Sequence, residues 1–159
     1  MKLPLKISQK LLDELFAESV RCHPFEACGF LLGKVSADAR IAEKFIACRN
    51  IQDELHAQDP ARYTRTAATA YVIDSKEQDA VFAQATSAGQ AVIAIVHSHP
   101  EHDAYFSAED KANAAPWGEP LFPEMSYVVI SVYGKTVTAA HDFCWDLSQN
   151  DFVEHKLMK

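Results

Sequence analysis

The chain has 159 residues, 48% of them hydrophobic and 23% charged, enough for one domain whose core needs no disulfide or metal staple. Fifteen Lys and Arg against 22 Asp and Glu give a formal charge of −7, which argues against a broad nucleic-acid or membrane-surface footprint. With only five Gly and seven Pro, collagen-like, linker or bulk disordered character is excluded.

The N-terminal stretch MKLPLKISQKLLDELF is broken by charge too often to be a signal peptide's apolar segment. Ile7, Leu11, Leu12, Leu15, Phe16 and Val20 form one apolar stripe and predict a helix over 7–21, with Ser8 as N-cap. Pro24 interrupts it. CGFLLG predicts a short strand closed by Gly33, and ARIAEKFIA, 39–47, a second. The polar stretch 49–66 has no strong period and reads as a loop or short-helix excursion. Tyr71–Ile73 reads as a further short strand. Asp74 and Glu77 have capping-box spacing for a helix from Lys76 to Ala88, stopped at Gly89.

AVIAIV, 91–96, is the longest uncharged apolar run and predicts a strand covered on both faces. Pro100 is expected to end its ladder and turn the chain outward. Ser107 caps a predicted helix over 107–115, stopped by Pro116. After PWGEPLFPE comes an apolar strand, Tyr127–Tyr133, whose hairpin partner is expected at 136–140 beyond a Gly134–Lys135 turn. Asp142–Lys156 holds a last strand or short helix. The expected architecture is a single α/β domain over 1–159, a mixed sheet with helices packed on it. No run approaches 18 apolar residues, so no membrane span is expected. Cys22, Cys28, Cys48 and Cys144 form no CxxC pair and are expected as reduced thiols in a cytoplasmic protein, with Cys28 a buried small apolar residue.

The chemistry concentrates in HSHPEHDAYFSAED. Alternation along an extended strand end puts His97 and His99 on one face. Asp110 lies three residues beyond the cap Ser107, where its carboxylate can turn back toward the strand tip. Two imidazoles and a carboxylate make a three-ligand zinc set with an open fourth position, the mark of a catalytic site. Zinc there lowers the pKa of a bound water toward roughly 7 and polarises a carbonyl. The water still needs a base outside the ligand set, and the residues leave Glu26, Glu43, Glu101 and Glu109 open. Taken singly, the two histidines are more often surface imidazoles, Ser107 a cap and Asp110 a first-turn acid. The arrangement after a buried strand is what points to metal. His23, His56, His102, His141 and His155 carry no such pattern and are expected to be solvated.

Residues 97–110 resemble, without a gap, the motif of the JAMM/MPN+ zinc metalloproteases, H-x-H-P, six residues, S-x-x-D. PFEACGFLLG, 24–33, resembles the family's upstream element P-x-E-x-C-G-x-L-x-G. With the strand YVVISV, the resemblance covers residues 5–145. It implies a curved mixed sheet between helices, related to that of cytidine deaminases, and Zn2+ held by His97, His99 and Asp110. It also implies Glu26 as general acid/base and Ser107 as the hydroxyl that steadies the carbonyl oxygen or tetrahedral intermediate. The implied reaction is cleavage after the C-terminal Gly-Gly of a ubiquitin-like protein. A compact single domain fits the small bacterial type, which acts on a ThiS/MoaD-like sulfur-carrier protein, trimming an extension or releasing an attached amino acid. Two other readings are a deubiquitinase-like isopeptidase and a non-catalytic MPN-type scaffold; the intact ligand set disfavours the second. Deaminase chemistry is disfavoured because no H-x-E…P-C-x-x-C signature occurs. The loops 49–66 and 116–125 would wall the channel for the carrier's tail, with Trp117 and Phe122 as packing candidates. Arg62 and Arg65 are the candidates for a basic rim facing an acidic carrier. Homodimerisation is compatible with a chain of this kind, and no nucleic-acid or membrane partner is expected.

Overall fold

The computed structural model describes residues 3–158; residues 1, 2 and 159, the ends of the domain expected over 1–159, lie outside the described residues. In chain order the elements are β1 (Leu5–Lys6), α1 (Gln9–Cys22), β2 (Cys28–Val35), β3 (Arg40–Cys48), α2 (Gln52–Gln58), α3 (Ser75–Ser87), β4 (Ala91–Pro100), α4 (Ala108–Ala114), β5 (Ser126–Tyr133), β6 (Thr136–Asp146) and β7 (Asp151–Lys156). The strands form one seven-stranded sheet in the order β1-β3-β2-β4-β5-β6-β7. Pairing is antiparallel except for β1 with β3 and β4 with β5. Among the described residues no helix is long and apolar enough to cross a membrane.

β4 sits in the middle of the sheet, and the burial of Ile93 through Pro100 agrees with its near-continuous apolar run. One face is covered by α1, whose Leu11 and Leu15 pack with Leu31, Val96, Val128 and Ile130. The other face packs Phe30, Ile95, Tyr127 and Val129 against Val81 and Ala85 of α3, and against Phe106 and Phe152. Ser8 caps α1 by accepting from the Leu11 N–H at 3.2 Å.

Three local expectations are corrected. β2 does not close at Gly33 but runs on to Val35, with a register shift between Leu32 and Gly33. Gly33 is needed there because a Cβ would collide with the Ile41 carbonyl of β3. Tyr71–Ile73 is not a strand; only an isolated bridge joins Ile73 to Asn50. The Asn50 side chain replaces a ladder, accepting from the Val72 N–H at 3.2 Å and donating to the Ala70 carbonyl at 3.0 Å. At α3 the Asp74 side chain caps the Lys76 N–H, but the Glu77 carboxylate faces the Arg49 N–H instead of completing a capping box.

Pro100 is the last residue of β4, and the chain turns at Glu101, as expected. The strand continues through the whole HSHP segment, with Pro100 opposite Val132 of β5. The Ser98 N–H points to the β2 side, to the Ala27 carbonyl at 3.0 Å. Pro100 has the same parity, and β2 begins only at Cys28, opposite His97. The N–H that proline lacks therefore faces a place where no strand remains to receive one.

A buried arginine reports the curvature of the sheet. Arg40 and Asp142 lie on β3 and β6, four steps apart in strand order. In a flat sheet those steps would separate them by about 19 Å. Instead Arg40 Nη2 donates to Asp142 Oδ2 at 2.8 Å and meets Cys144 Sγ at 3.2 Å. Nη1 donates to Ser126 Oγ at 2.5 Å and to the Ile93 carbonyl at 3.2 Å, and Nε to the Leu3 carbonyl at 2.9 Å. The sheet is thus a half-barrel around this guanidinium, a mixed curved sheet flanked by helices as expected.

Candidate metal centre

The end of β4 and the first turn of α4 bring three side chains together. His97 and His99 alternate onto the same face of β4, with their Nε2 atoms 3.1 Å apart. Asp110 straddles them, Oδ1 at 3.3 Å from His97 Nε2 and Oδ2 at 3.4 Å from His99 Nε2. Both histidines are buried and Asp110 is nearly so. Each offers one ligand atom, all within 4.8 Å of one another.

This donor set fits zinc. Tetrahedral bonds of about 2.0–2.1 Å place neighbouring donors roughly 3.3 Å apart, close to the separations found. Two imidazole nitrogens facing each other at 3.1 Å repel unless a proton or a cation lies between them. His99 Nδ1 lies 2.9 Å from the Asp103 carbonyl, which can only accept. The proton is therefore on Nδ1 and the Nε2 lone pair is free to bind. His97 Nδ1 has no hydrogen-bond partner, and Tyr71 stacks on the ring instead, centroids 4.5 Å apart and planes at 23°. Burial holds the His97 imidazolium below its ordinary pKa, against the opposing pull of Asp110. Burial alone would raise the Asp110 carboxyl, but the neighbouring His97 and the Ser107 hydroxyl hold it far below the usual range.

Ser107 is the N-cap of α4 in a reciprocal capping box. Its Oγ accepts from the Asp110 N–H at 3.0 Å and donates to Asp110 Oδ2 at 2.7 Å, and its own N–H reaches the same oxygen at 2.9 Å. The cap thus aims the carboxylate of the third member of the cluster.

The segment before β2 is held against this cluster. The Ala27 N–H donates to Ser98 Oγ at 2.8 Å, between the two histidines. The Glu26 N–H reaches the Ala67 carbonyl at 2.8 Å, and Asn50 Nδ2 donates to the Glu26 carbonyl at 3.1 Å. Glu26 itself is 6% exposed, and burial pushes its carboxyl up to about 9, with Asp110 and Glu109 adding to the push and Arg65 opposing it. The other three glutamates are committed elsewhere. Glu43 accepts from Gln90 Nε2 at 2.7 Å, Glu109 pairs with Arg65 Nε at 2.6 Å, and Glu101 binds His23 Nε2 at 2.6 Å and the Gly134 N–H at 2.7 Å.

Not all the expected solvated histidines are free. His23 binds Glu101, His56 Nδ1 lies 2.6 Å from the Tyr63 carbonyl, and His141 Nδ1 lies 2.5 Å from Glu154. Cys28 is buried, as expected, and burial raises its thiol strongly. Two clefts flank the centre. One, about 310 Å³, is lined by Asp110, Phe30, Ile95, Phe122 and Tyr127 among others. The other, about 250 Å³, is lined by Arg62, Tyr63, Arg65 and Glu109 among others. They share Tyr71, Val72 and Asn113. Phe122 thus lines a cleft, whereas Trp117 stands 83% exposed. Of the expected basic rim, Arg65 is neutralised by Glu109. Sequence reasoning missed Tyr71 and Asn50, because nothing local marks a stacking aromatic or an amide that replaces a strand.

A sequence model of the family described as prokaryotic homologs of the JAB domain (Prok-JAB) matches residues 8–148. Among curated proteins the chain is similar to the CysO-cysteine peptidase of Mycobacterium tuberculosis, 30% identical over 127 residues that span 80% of this chain and 73% of that protein. It is similar also to the desampylase of Haloferax volcanii, 29% identical over 123 residues, 77% of this chain and 73% of that one. A solved structure of a protein from Desulfitobacterium hafniense shares the fold, with a TM-score of 0.72 at 24% identity, covering 98% of this chain and 91% of that one.

Proposed function

This chain belongs to the prokaryotic homologs of the JAB domain, and we propose that it is a JAMM-type zinc peptidase of the cytoplasm. Its substrate is a small ubiquitin-fold, ThiS/MoaD-like sulfur-carrier protein, cut after the C-terminal Gly-Gly to trim an extension or release an attached amino acid. The observation that carries this reading is the His97, His99 and Asp110 cluster with its matched spacing. Relatives named for cleaving CysO-cysteine and for desampylation support the substrate class.

When bound, zinc would polarise the scissile carbonyl, bring a water's pKa toward about 7 and draw the nearby Glu26 carboxyl down from its raised value. His97, His99 and Asp110 hold it. Glu26, buried at the mouth of β2, takes a proton from the attacking water and delivers it to the leaving amine. Ser107, its Oγ fixed by the Asp110 N–H, would turn its hydroxyl proton from Asp110 Oδ2 to the carbonyl oxygen. Tyr71 and Asp103 keep the two imidazoles in orientation.

The test is mass spectrometry of a candidate carrier bearing residues beyond Gly-Gly, before and after incubation. The expected result is a mass drop ending at Gly-Gly, abolished by a chelator and restored by zinc. Equal turnover of short Gly-Gly peptides would overturn the assignment of a carrier as the substrate. Separately, His97→Ala is expected to lower zinc from about one per chain to well under half, since it removes one of three ligands. Elemental analysis checks this, and full zinc retention in that variant would remove the cluster from its assigned role.

A further inference from the structure

Glu101 stands immediately after HSHP in a left-handed backbone conformation, φ +59°, unusual for a residue with a Cβ. The conformation is held from several sides. The Glu101 N–H donates to the Val132 carbonyl at 2.7 Å. Its Oε1 accepts from the Gly134 N–H at 2.7 Å and meets His23 Nε2 at 2.6 Å. The next residues are fixed by the same end of β5. Ser131 Oγ donates to the His102 carbonyl at 2.6 Å, and Tyr133 donates its hydroxyl to Asp103 Oδ1 at 2.9 Å. What this turn delivers is the Asp103 carbonyl that orients His99.

The same carboxylate reaches a second segment. His23 is the C-terminal cap of α1 and lies three residues before Glu26. One oxygen therefore ties the turn behind a metal ligand to the segment that carries the acid/base glutamate.

We infer that Glu101 is a positioning residue, joining the His99–Asp103 turn to the His23–Glu26 segment so that the metal ligand and Glu26 keep one fixed relation. The inference rests on the metal reading above. Glu101 touches neither the reacting bond nor the ligand atoms, and it acts through Asp103 on one side and His23 on the other. Loss of its carboxylate frees both, and outer partners of ligating histidines are commonly worth tenfold or more in metal affinity.

The experiment measures zinc affinity of the whole chain by competition with a chromophoric chelator, with kcat and KM on the carrier alongside. Glu101→Ala and Glu101→Gly are each expected to weaken zinc binding by about tenfold. Glu101→Gln, which keeps an acceptor for Gly134 N–H, is expected to remain near wild type. The glycine variant separates the carboxylate from the backbone, because glycine adopts this φ without strain. His23→Ala, which cuts only the second tie, is expected to leave zinc affinity unchanged and to lower kcat at constant KM. Glu101 is exposed, so these variants should fold, and thermal unfolding checks that. Wild-type zinc affinity in both the alanine and glycine variants would overturn this inference alone. Wild-type kcat in His23→Ala would remove its second half. A wild-type chain that binds no zinc would overturn the metal reading and this inference with it.

Discussion

Glu26→Gln is expected to lower the cleavage rate by about 10²–10⁴-fold while zinc content stays as in the wild type. The amide has the shape of the carboxyl but can neither take nor deliver the proton. Glu26 is not a member of the ligand cluster, so metal retention should not follow the loss of rate. Rate measured as kcat/KM, with zinc quantified in the same sample, checks this; cleavage that persists in the variant would remove Glu26 from its role. The substitution has a second expected effect, on stability against pH in the metal-free chain. Burial raises the folded-state value of Glu26 from 4.5 to about 9. The folded chain thus holds a proton that the unfolded chain gives up. The associated stability is full below the ordinary carboxylate value and falls as pH rises from there through about 9. Glu26→Gln should flatten that part of the curve, and denaturant titrations of the chelated protein across the window test it.

Arg40→Met is expected to destabilise the fold by about 3–5 kcal/mol, the cost of leaving a buried charge without its partner. Arg40 and Asp142 are 2% and 1% exposed. Among the described residues Asp142 Oδ1 has no hydrogen bond, and losing the guanidinium from Oδ2 leaves the carboxylate with the Cys144 thiol at 3.3 Å. Replacing both partners, Arg40→Met with Asp142→Leu, should recover most of the loss, because an apolar pair carries no desolvation cost. A double-mutant cycle by urea unfolding measures the coupling. Additive losses would show that the pair does not act as a unit.

The cluster that could hold a metal was legible because all three side chains fall within fourteen residues, His97 to Asp110. Strand alternation places the two imidazoles on one face, and a capped helix turn aims the carboxylate. The glutamate was not legible from residues alone. The segment that carries Glu26 lies beside the cluster only because β2 pairs with β4 in a register that sets Cys28 opposite His97. Nothing local specifies that pairing, and four glutamates stayed equivalent until the motif resemblance singled one out. In the fold, the apolar strands and the capped helices α1 and α4 followed from period and cap. β1 escaped because two residues carry no period. β4 ends at Pro100, where the HSHP segment was expected to stop, its missing N–H facing a place beyond the start of β2. The buried Arg40 was invisible for a different reason: a cation among apolar neighbours is explained only by the curvature that brings Asp142 to it.

The two clefts beside the centre draw part of their walls from two connections. One spans from the end of β3 at Cys48 to the start of α3 at Ser75, the other from the end of α4 at Ala114 to the start of β5 at Ser126. His97 and His99 stand on β4 and Asp110 in α4, outside both connections. Doubling the length of such a connection costs only about 0.6 kcal/mol in closure entropy. The connection between Ala114 and Ser126 can therefore change length at little cost, whereas the one between Cys48 and Ser75 carries Tyr71, which stacks on His97, and Asn50, which holds the Glu26 carbonyl, so its length is tied to the site.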